Sequence, residues 1–124
     1  MNIGVDIENI SKFSNLHKIK DKRRLEKMFT DLEINYCFDK INPPQHLAGK
    51  FAAKEAIIKA CNSMSKIIPY LNDIEVKNDE SGKPLVSIKN NFPANMDILL
   101  SISHNNDNAI AFAVILNKNE DFHN

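Results

Sequence analysis

Three observations predict an α+β domain. Apolar and polar residues alternate at the start, with Ile3, Val5 and Ile7 between Gly4, Asp6 and Glu8. Helix-forming stretches with apolar residues three and four apart follow, from Ser11 to Asn62. From Ile74 onward the period returns to two. A strand, several helices and then a run of antiparallel strands make an α+β order, here an antiparallel β-sheet packed against a long central helix and shorter helices. The 124 residues, 43% of them hydrophobic and 26% charged, suit one domain over 1–124 with a single real core.

The elements follow in order. Ile3, Val5 and Ile7 form one apolar face of the first strand, which puts Asp6 on the opposite face. Between Ser11 and Lys40 the apolar residues fall into three helical groups: Phe13 and Leu16; Leu25, Met28 and Phe29; Leu32, Tyr36 and Cys37. Thr30 with Glu33 three residues on is the capping-box pattern for the third group. Asn42-Pro43-Pro44 interrupts the helices, because a proline disfavours helical geometry in the residue before it. Pro44 to about Asn62 reads as the longest helix, built almost wholly from good helix formers. Ile74 and Val76 form a short strand, 78–82 a turn, and Leu85 to Ile88 the returning strand. Leu99 to Ser103 and Ala109 to Leu116 are two further strands, joined by the polar turn 104–108.

Composition narrows the function. Sixteen basic and sixteen acidic residues cancel, which argues against a general nucleic-acid or membrane-surface binder. No apolar run approaches the ~20 residues of a bilayer span, and no leader-like segment follows Met1, so a cytoplasmic setting is expected. Cys37 and Cys61 sit in no CxxC or metal-type spacing and read as small core residues. GxSxG, P-loop and GxGxxG motifs are absent, which disfavours the corresponding hydrolase, NTPase and dinucleotide-binding readings.

Two carboxylates stand out. On the long helix, Leu47, Ala48, Phe51, Ala52, Ile58 and Lys59 all fall within about 80° of Glu55 at 100° per residue. Glu55 is either half of a surface pair with Lys59, worth ~0.3–0.5 kcal/mol, or a packed carboxylate that needs a cation. Asp6 is either a solvent-facing strand residue or cap, or a second oxygen ligand. Two carboxylates from different elements suit Mg²⁺, which completes its octahedron with water and phosphate oxygens. His104 closes the Leu100-Ser101-Ile102-Ser103-His104 strand at a loop, where it is either a turn residue or a phosphate contact.

Taken together, these residues resemble holo-acyl-carrier-protein synthases, the small trimeric type of 4′-phosphopantetheinyl transferase. The matching blocks are Ile3-Gly4-Val5-Asp6-Ile7, then Phe29-Thr30 with Glu33 and Tyr36-Cys37. Leu47-Ala48-Gly49-Lys50-Phe51-Ala52-Ala53-Lys54-Glu55-Ala56 follows with Lys59-Ala60, then Gly82-Lys83-Pro84 and Leu100 to His104. They span nearly the whole chain in family order.

The resemblance implies transfer of phosphopantetheine from coenzyme A to a serine of apo-acyl carrier protein, releasing adenosine 3′,5′-bisphosphate, in fatty acid biosynthesis. It implies Asp6 and Glu55 as Mg²⁺ ligands and catalytic residues, with Lys59 at the coenzyme A pyrophosphate. Lys50 and His104 fall near the 3′-phosphate, and Gly82, Lys83 and Pro84 belong to the same coenzyme site. The serine proton would pass to Glu55 or to a metal-bound water. A homotrimer with active sites shared between neighbours is implied too, and a helix apolar on both sides is compatible with it.

The chain departs from the pattern at Cys61-Asn62-Ser63-Met64, where the family commonly has Gly-Thr-Gly. Lys50 stands for a more usual arginine, and Asn9, beside Glu8, for an acidic residue. Seven cations lie within 16 residues, among them Lys12, Lys22, Arg23 and Arg24, and they match a surface for an acidic carrier protein. The rival readings are a non-catalytic coenzyme A or carrier-protein binding module and an unrelated Mg-dependent phosphohydrolase. The second lacks an evident third acidic ligand or nucleophile.

Overall fold

A computed structural model describes residues 1–62, 68–89 and 92–118. Strand β1 (Asn2–Asn9) leads through a 3-10 turn (Ile10–Phe13) to helices α1 (Lys22–Met28), α2 (Asp31–Phe38) and α3 (Pro43–Asn62). A second 3-10 turn (Leu71–Asp73) precedes β2 (Ile74–Asn78), β3 (Pro84–Ile88), β4 (Met96–His104) and β5 (Asn108–Asn117). The strands form two antiparallel sheets, one in the order β1-β5-β4 and a two-stranded ribbon β2-β3. The α+β reading holds, with α3 at the centre. Ser63 and Met64 of the substituted loop lie outside the described residues.

Local sequence accounts for the helix boundaries. Thr30 caps α2 as expected: its hydroxyl accepts the Glu33 N–H at 3.3 Å while Glu33 Oε1 accepts the Thr30 N–H at 2.8 Å. Helix α3 opens on Pro43-Pro44, since a proline has no N–H to leave unpaired in a first turn.

Most of α3 is buried. One side lies on the inner face of the three-stranded sheet, where Ala52, Ala53, Ala56 and Ala60 meet Ala111, Ala113 and Ile115, while Ile57 and Cys61 share that cluster with Ile74 and Val76. Its first half packs with Leu25, Phe29, Ile34 and Cys37, and Phe13, Phe29 and Phe51 stack at tilted angles with ring centroids 5.6–6.4 Å apart. Both cysteines are free and buried, and burial pushes their thiols up to about 12 (Cys37) and about 11 (Cys61), as expected for core residues.

The faces of β1 are distributed unusually. Asp6 does lie opposite the isoleucines, but the polar face is the one that turns inward. Gly4 is buried and Asp6 and Glu8 half-buried, while Ile3, Val5 and Ile7 are 59%, 48% and 61% exposed. The reason is distance. A Cβ built on Gly4 would sit 2.0 Å from the Ala56 carbonyl oxygen and 2.8 Å from the Ala60 amide nitrogen, so a branched side chain cannot face α3 there. On β5 the same inner face carries alanines, and Ile110 and Phe112 point outward. Both sides of α3 are thus covered by its own chain, and the open apolar surface is the outer face of the sheet.

Gly4→Ala is expected to be among the most damaging single-methyl additions in this chain, since the Ala56 and Ala60 atoms it would meet are backbone and cannot swing aside. Overpacking of this kind costs roughly 3 kcal/mol or more. Thermal unfolding should show a midpoint lowered by about 10 °C or more. A midpoint within a few degrees of wild type would mean that β1 and α3 can separate freely.

Candidate functional site

The inward face of β1 meets α3 where Asp6 contacts Lys59, one helical turn after Glu55. Lys59, one of the few exposed positions on α3, donates its ammonium to Asp6 Oδ1 at 3.0 Å and to the Val5 carbonyl at 3.1 Å. The Glu55–Lys59 surface pair is therefore not formed. Glu55 is half-buried, one helical turn before Lys59, and no ion pair holds it among the described residues. Asp6 Oδ2 is buried with no hydrogen-bond partner, an acceptor that lacks its counterpart within the chain.

Glu8, two residues along the same face, shares this environment. Burial and the adjacent Asp6 carboxyl hold its own carboxyl above the ordinary range, with Lys12 pulling it back down. Lys12 Nζ lies 3.0 Å from Glu8 Oε1 and 4.8 Å from the Phe51 ring centroid on α3. Period-two spacing from Asp6 could have marked Glu8 in the sequence.

This donor set fits a small, hard cation. An orphaned, buried carboxylate oxygen and a second unpaired carboxylate are oxygen ligands of the kind Mg²⁺ takes. No three His, Cys, Asp or Glu side chains among the described residues are grouped to hold a metal on their own. The remaining positions would fall to water and to a ligand's oxygens.

A second feature is a cleft of about 260 Å³ lined by Tyr36, Gln45, His46, Gly49, Lys50, Asn78, Gly82, Pro84, Ile102 and His104. Of the predicted coenzyme residues, Lys50, Gly82, Pro84 and His104 meet here. Lys83 is exposed on the turn and is not in the lining, and Asp6, Glu55 and Lys59 lie outside it. No carboxylate lines the cleft. Burial, aided by the positive charges of Lys40 and Lys50, lowers the His46 pKa. Lys40 and Lys50 each stand 4.5 Å from the centroid of the Tyr36 ring. A cationic cleft with Ile102, Gly49 and Pro84 as apolar walls suits an anionic group joined to a flat ring.

Lys50 is 4% exposed, with its ammonium donating to the Val76 carbonyl at 2.7 Å and to Asn78 Oδ1 at 2.8 Å. Burial holds its pKa below the usual lysine value. Tyr36, Gln45, His46 and Asn78 were not singled out as site residues from the sequence. His46 alone carried a signal, one helical turn before Lys50.

The basic run divides. Lys22, Arg23 and Arg24 are exposed on α1, and no carboxylate among the described residues pairs with them. Lys12 is instead held by Glu8, beside the acidic group.

Comparison with known proteins identifies the family. Residues 2–114 match the model of a family described as the 4′-phosphopantetheinyl transferase superfamily. A holo-[acyl-carrier-protein] synthase of Halothermothrix orenii is 43% identical over 118 residues, covering 90% of this chain and 94% of that protein. The synthase of Clostridium tetani is 42% identical over 122 residues, covering 93% and 94%. Among solved structures, a Chronobacterium ammoniagenes ACPS–CoA complex superposes with a TM-score of 0.74 at 28% identity, covering 92% of this chain and 95% of that one. The Helicobacter pylori holo-[acyl-carrier-protein] synthase in complex with coenzyme A gives 0.69 at 27% identity, covering 92% and 99%. With its carboxylates, its cationic cleft and its relatives in agreement, this chain belongs to the 4′-phosphopantetheinyl transferase superfamily.

Proposed function

We propose that this chain is a holo-[acyl-carrier-protein] synthase, one catalytic domain over 1–124 that moves 4′-phosphopantetheine from coenzyme A to a serine of apo-acyl carrier protein. The observation that carries this reading is the carboxylate-free cleft, beside an Asp6–Lys59–Glu55 group whose Asp6 Oδ2 lacks a partner. A purely binding module would have no use for that group. Adenosine 3′,5′-bisphosphate is the second product, and the setting is cytoplasmic fatty acid biosynthesis. No helix among the described residues is long and apolar enough to cross a membrane.

Residue roles follow from placement. The cleft takes the nucleotide end of coenzyme A, with the Lys50 ammonium setting a positive potential for its phosphate, His46 and His104 offering ring nitrogens to it, and Gly82, Lys83 and Pro84 forming the hairpin side. Asp6 and Glu55 would hold Mg²⁺, which when bound would neutralise charge on the diphosphate as its phosphoanhydride bond breaks. Lys59 lies beside Asp6 to meet the pyrophosphate, where its charge counts for more as negative charge develops. The carrier serine attacks the β-phosphorus, adenosine 3′,5′-bisphosphate leaves, and Glu55, without an ion-pair partner among the described residues, would accept the hydroxyl proton.

Incubation with apo-acyl carrier protein, coenzyme A and Mg²⁺ should add one phosphopantetheine mass to the carrier. Asp6→Asn and Glu55→Gln should each lower turnover about a hundredfold or more, and Mn²⁺ affinity by calorimetry about tenfold, with unchanged circular dichroism. An unmodified carrier would refute the reading. Retained turnover in either variant would refute the two-carboxylate site.

The outer sheet face supports a homotrimer with sites shared between neighbours. Val5 pairs with Phe112 and Ile7 with Ile110 across β1 and β5, and Leu99 with Val114 across β4 and β5, so the exposed apolar side chains are contiguous. Patches of this kind mark protein interfaces. A groove lined by Ile7, Ser103, His104 and Ile110 joins this face to the cleft residue His104. Phe112→Glu should reduce the light-scattering mass from three chains to one. A wild-type monomer would remove the assembly.

Exposed, unpaired Lys22, Arg23 and Arg24 support docking of an acidic carrier protein, with Lys12 at the edge toward the carboxylates. Arg23→Glu/Arg24→Glu should raise the carrier KM about tenfold at ~50 mM salt, leave the coenzyme A KM unchanged, and lose most of that gap at ~300 mM. A carrier KM indifferent to both changes would leave α1 as a solvated face.

A further inference from the structure

The β2–β3 ribbon supplies Asn78, Gly82 and Pro84 to the cleft, yet a two-stranded hairpin by itself is marginal in water. Its register pairs Val76 with Val86. The Lys89 N–H donates to the Asp73 carbonyl and the Asp79 N–H to the Lys83 carbonyl, which places the ladder bonds on the odd-numbered residues of β2. In an antiparallel pair the residue between two such rungs turns both its N–H and its C=O away from the partner strand. Val76 is that residue.

Among the described residues no third strand meets this edge, and two side chains close it instead. The Val76 N–H donates to Glu33 Oε2 at 2.7 Å, and Lys50 Nζ donates to the Val76 carbonyl at 2.7 Å. The same ammonium holds Asn78 Oδ1, at the end of β2. Glu33 comes from α2 and Lys50 from α3. Glu33 Oε1 also accepts from Lys54 Nζ at 2.5 Å, and Lys54 spends its other protons on the Met28 and Leu71 carbonyls at 2.9 and 3.1 Å. Glu33 and Lys54 are both fully buried with their hydrogen-bonding capacity filled. A buried ion pair is a weak source of stability compared with apolar side chains of the same volume. This one does something an apolar pair cannot: it fixes which backbone segments meet.

We propose that Glu33 and Lys50 clamp both polar groups of Val76, and that Glu33, neutralised by Lys54, is a positioning residue for the hairpin wall of the nucleotide cleft. The inference rests on the coenzyme A reading above. Loosening the clamp shifts Asn78, Gly82 and Pro84 and leaves Asp6, Glu55 and Lys59 in place, so nucleotide affinity falls while the carrier step continues.

The test uses the full chain carrying Glu33→Leu/Lys54→Met and, separately, Glu33→Met/Lys54→Leu, each of which removes both charges and the acceptor of the Val76 N–H at similar volume. Adenosine 3′,5′-bisphosphate affinity by calorimetry, KM for coenzyme A, KM for carrier, kcat and amide exchange across β1, β5 and the hairpin are read in each folded variant. The expected result is a tenfold or greater loss of bisphosphate affinity, a matching rise in coenzyme A KM, and carrier KM and kcat within about threefold. Hairpin amides should exchange at least tenfold faster while those of β1 and β5 do not change. Should the first variant fail to fold, the second carries the same expectations. Wild-type nucleotide affinity in a folded variant overturns the clamp, as does lost affinity with unchanged hairpin exchange. A wild-type protein that binds no coenzyme A overturns the functional reading instead.

Discussion

The contact between Gly4 and the backbone of α3 governs the arrangement of the rest. With only 2.0 Å between the position of a Gly4 Cβ and the Ala56 carbonyl, strand and helix touch main chain to main chain. That closeness lets Lys59 reach both Asp6 and the Val5 carbonyl from the helix. It also excludes large side chains from the inner face of β1. Isoleucine and valine are therefore displaced to the outer face, where they form an exposed apolar surface. One constraint places the acidic side chains inside and the apolar ones outside.

A second constraint is electrostatic. The centre of the domain is apolar except for Glu33, Lys54 and Lys50, and each is satisfied by backbone or by its neighbour. Desolvation works against charging the two lysines, and the nearby carboxylate and carbonyls offset part of that cost. The net effect is to spend charges on geometry. They tie α1, α2, α3 and the β2–β3 ribbon into one frame around the cleft.

The functional charges are separated in space according to what they meet. Carboxylates lie along β1 and α3, where the proposed cation would sit. Histidines and a lysine line the cleft, whose described lining holds no carboxylate. Exposed cations without a carboxylate partner among the described residues lie on α1. A chain of zero net charge thereby presents local surfaces of both signs.

Much of this was legible in the residues. Period-two and helical spacing located the five strands and the three helices, because those periodicities reflect local backbone geometry. The further helical group read at Phe13 and Leu16 is instead a 3-10 turn over Ile10–Phe13, too short a stretch for spacing to tell from a helix. The Thr30–Glu33 capping box is equally local, closed within four residues, and it formed as expected. Asp6 and Glu55 were legible as candidates, Glu55 because a carboxylate interrupts the apolar stripe of its helix. Tertiary structure decided which face of β1 is inside, because alternation defines two faces and only the helix pressed against Gly4 chooses between them. It decided that Lys59 turns to Asp6 across the strand and not to Glu55 along the helix. It also gave Glu33 a second role that no spacing could announce, since Val76 and Lys54 lie 43 and 21 residues away in the chain and meet that carboxylate only when the core closes.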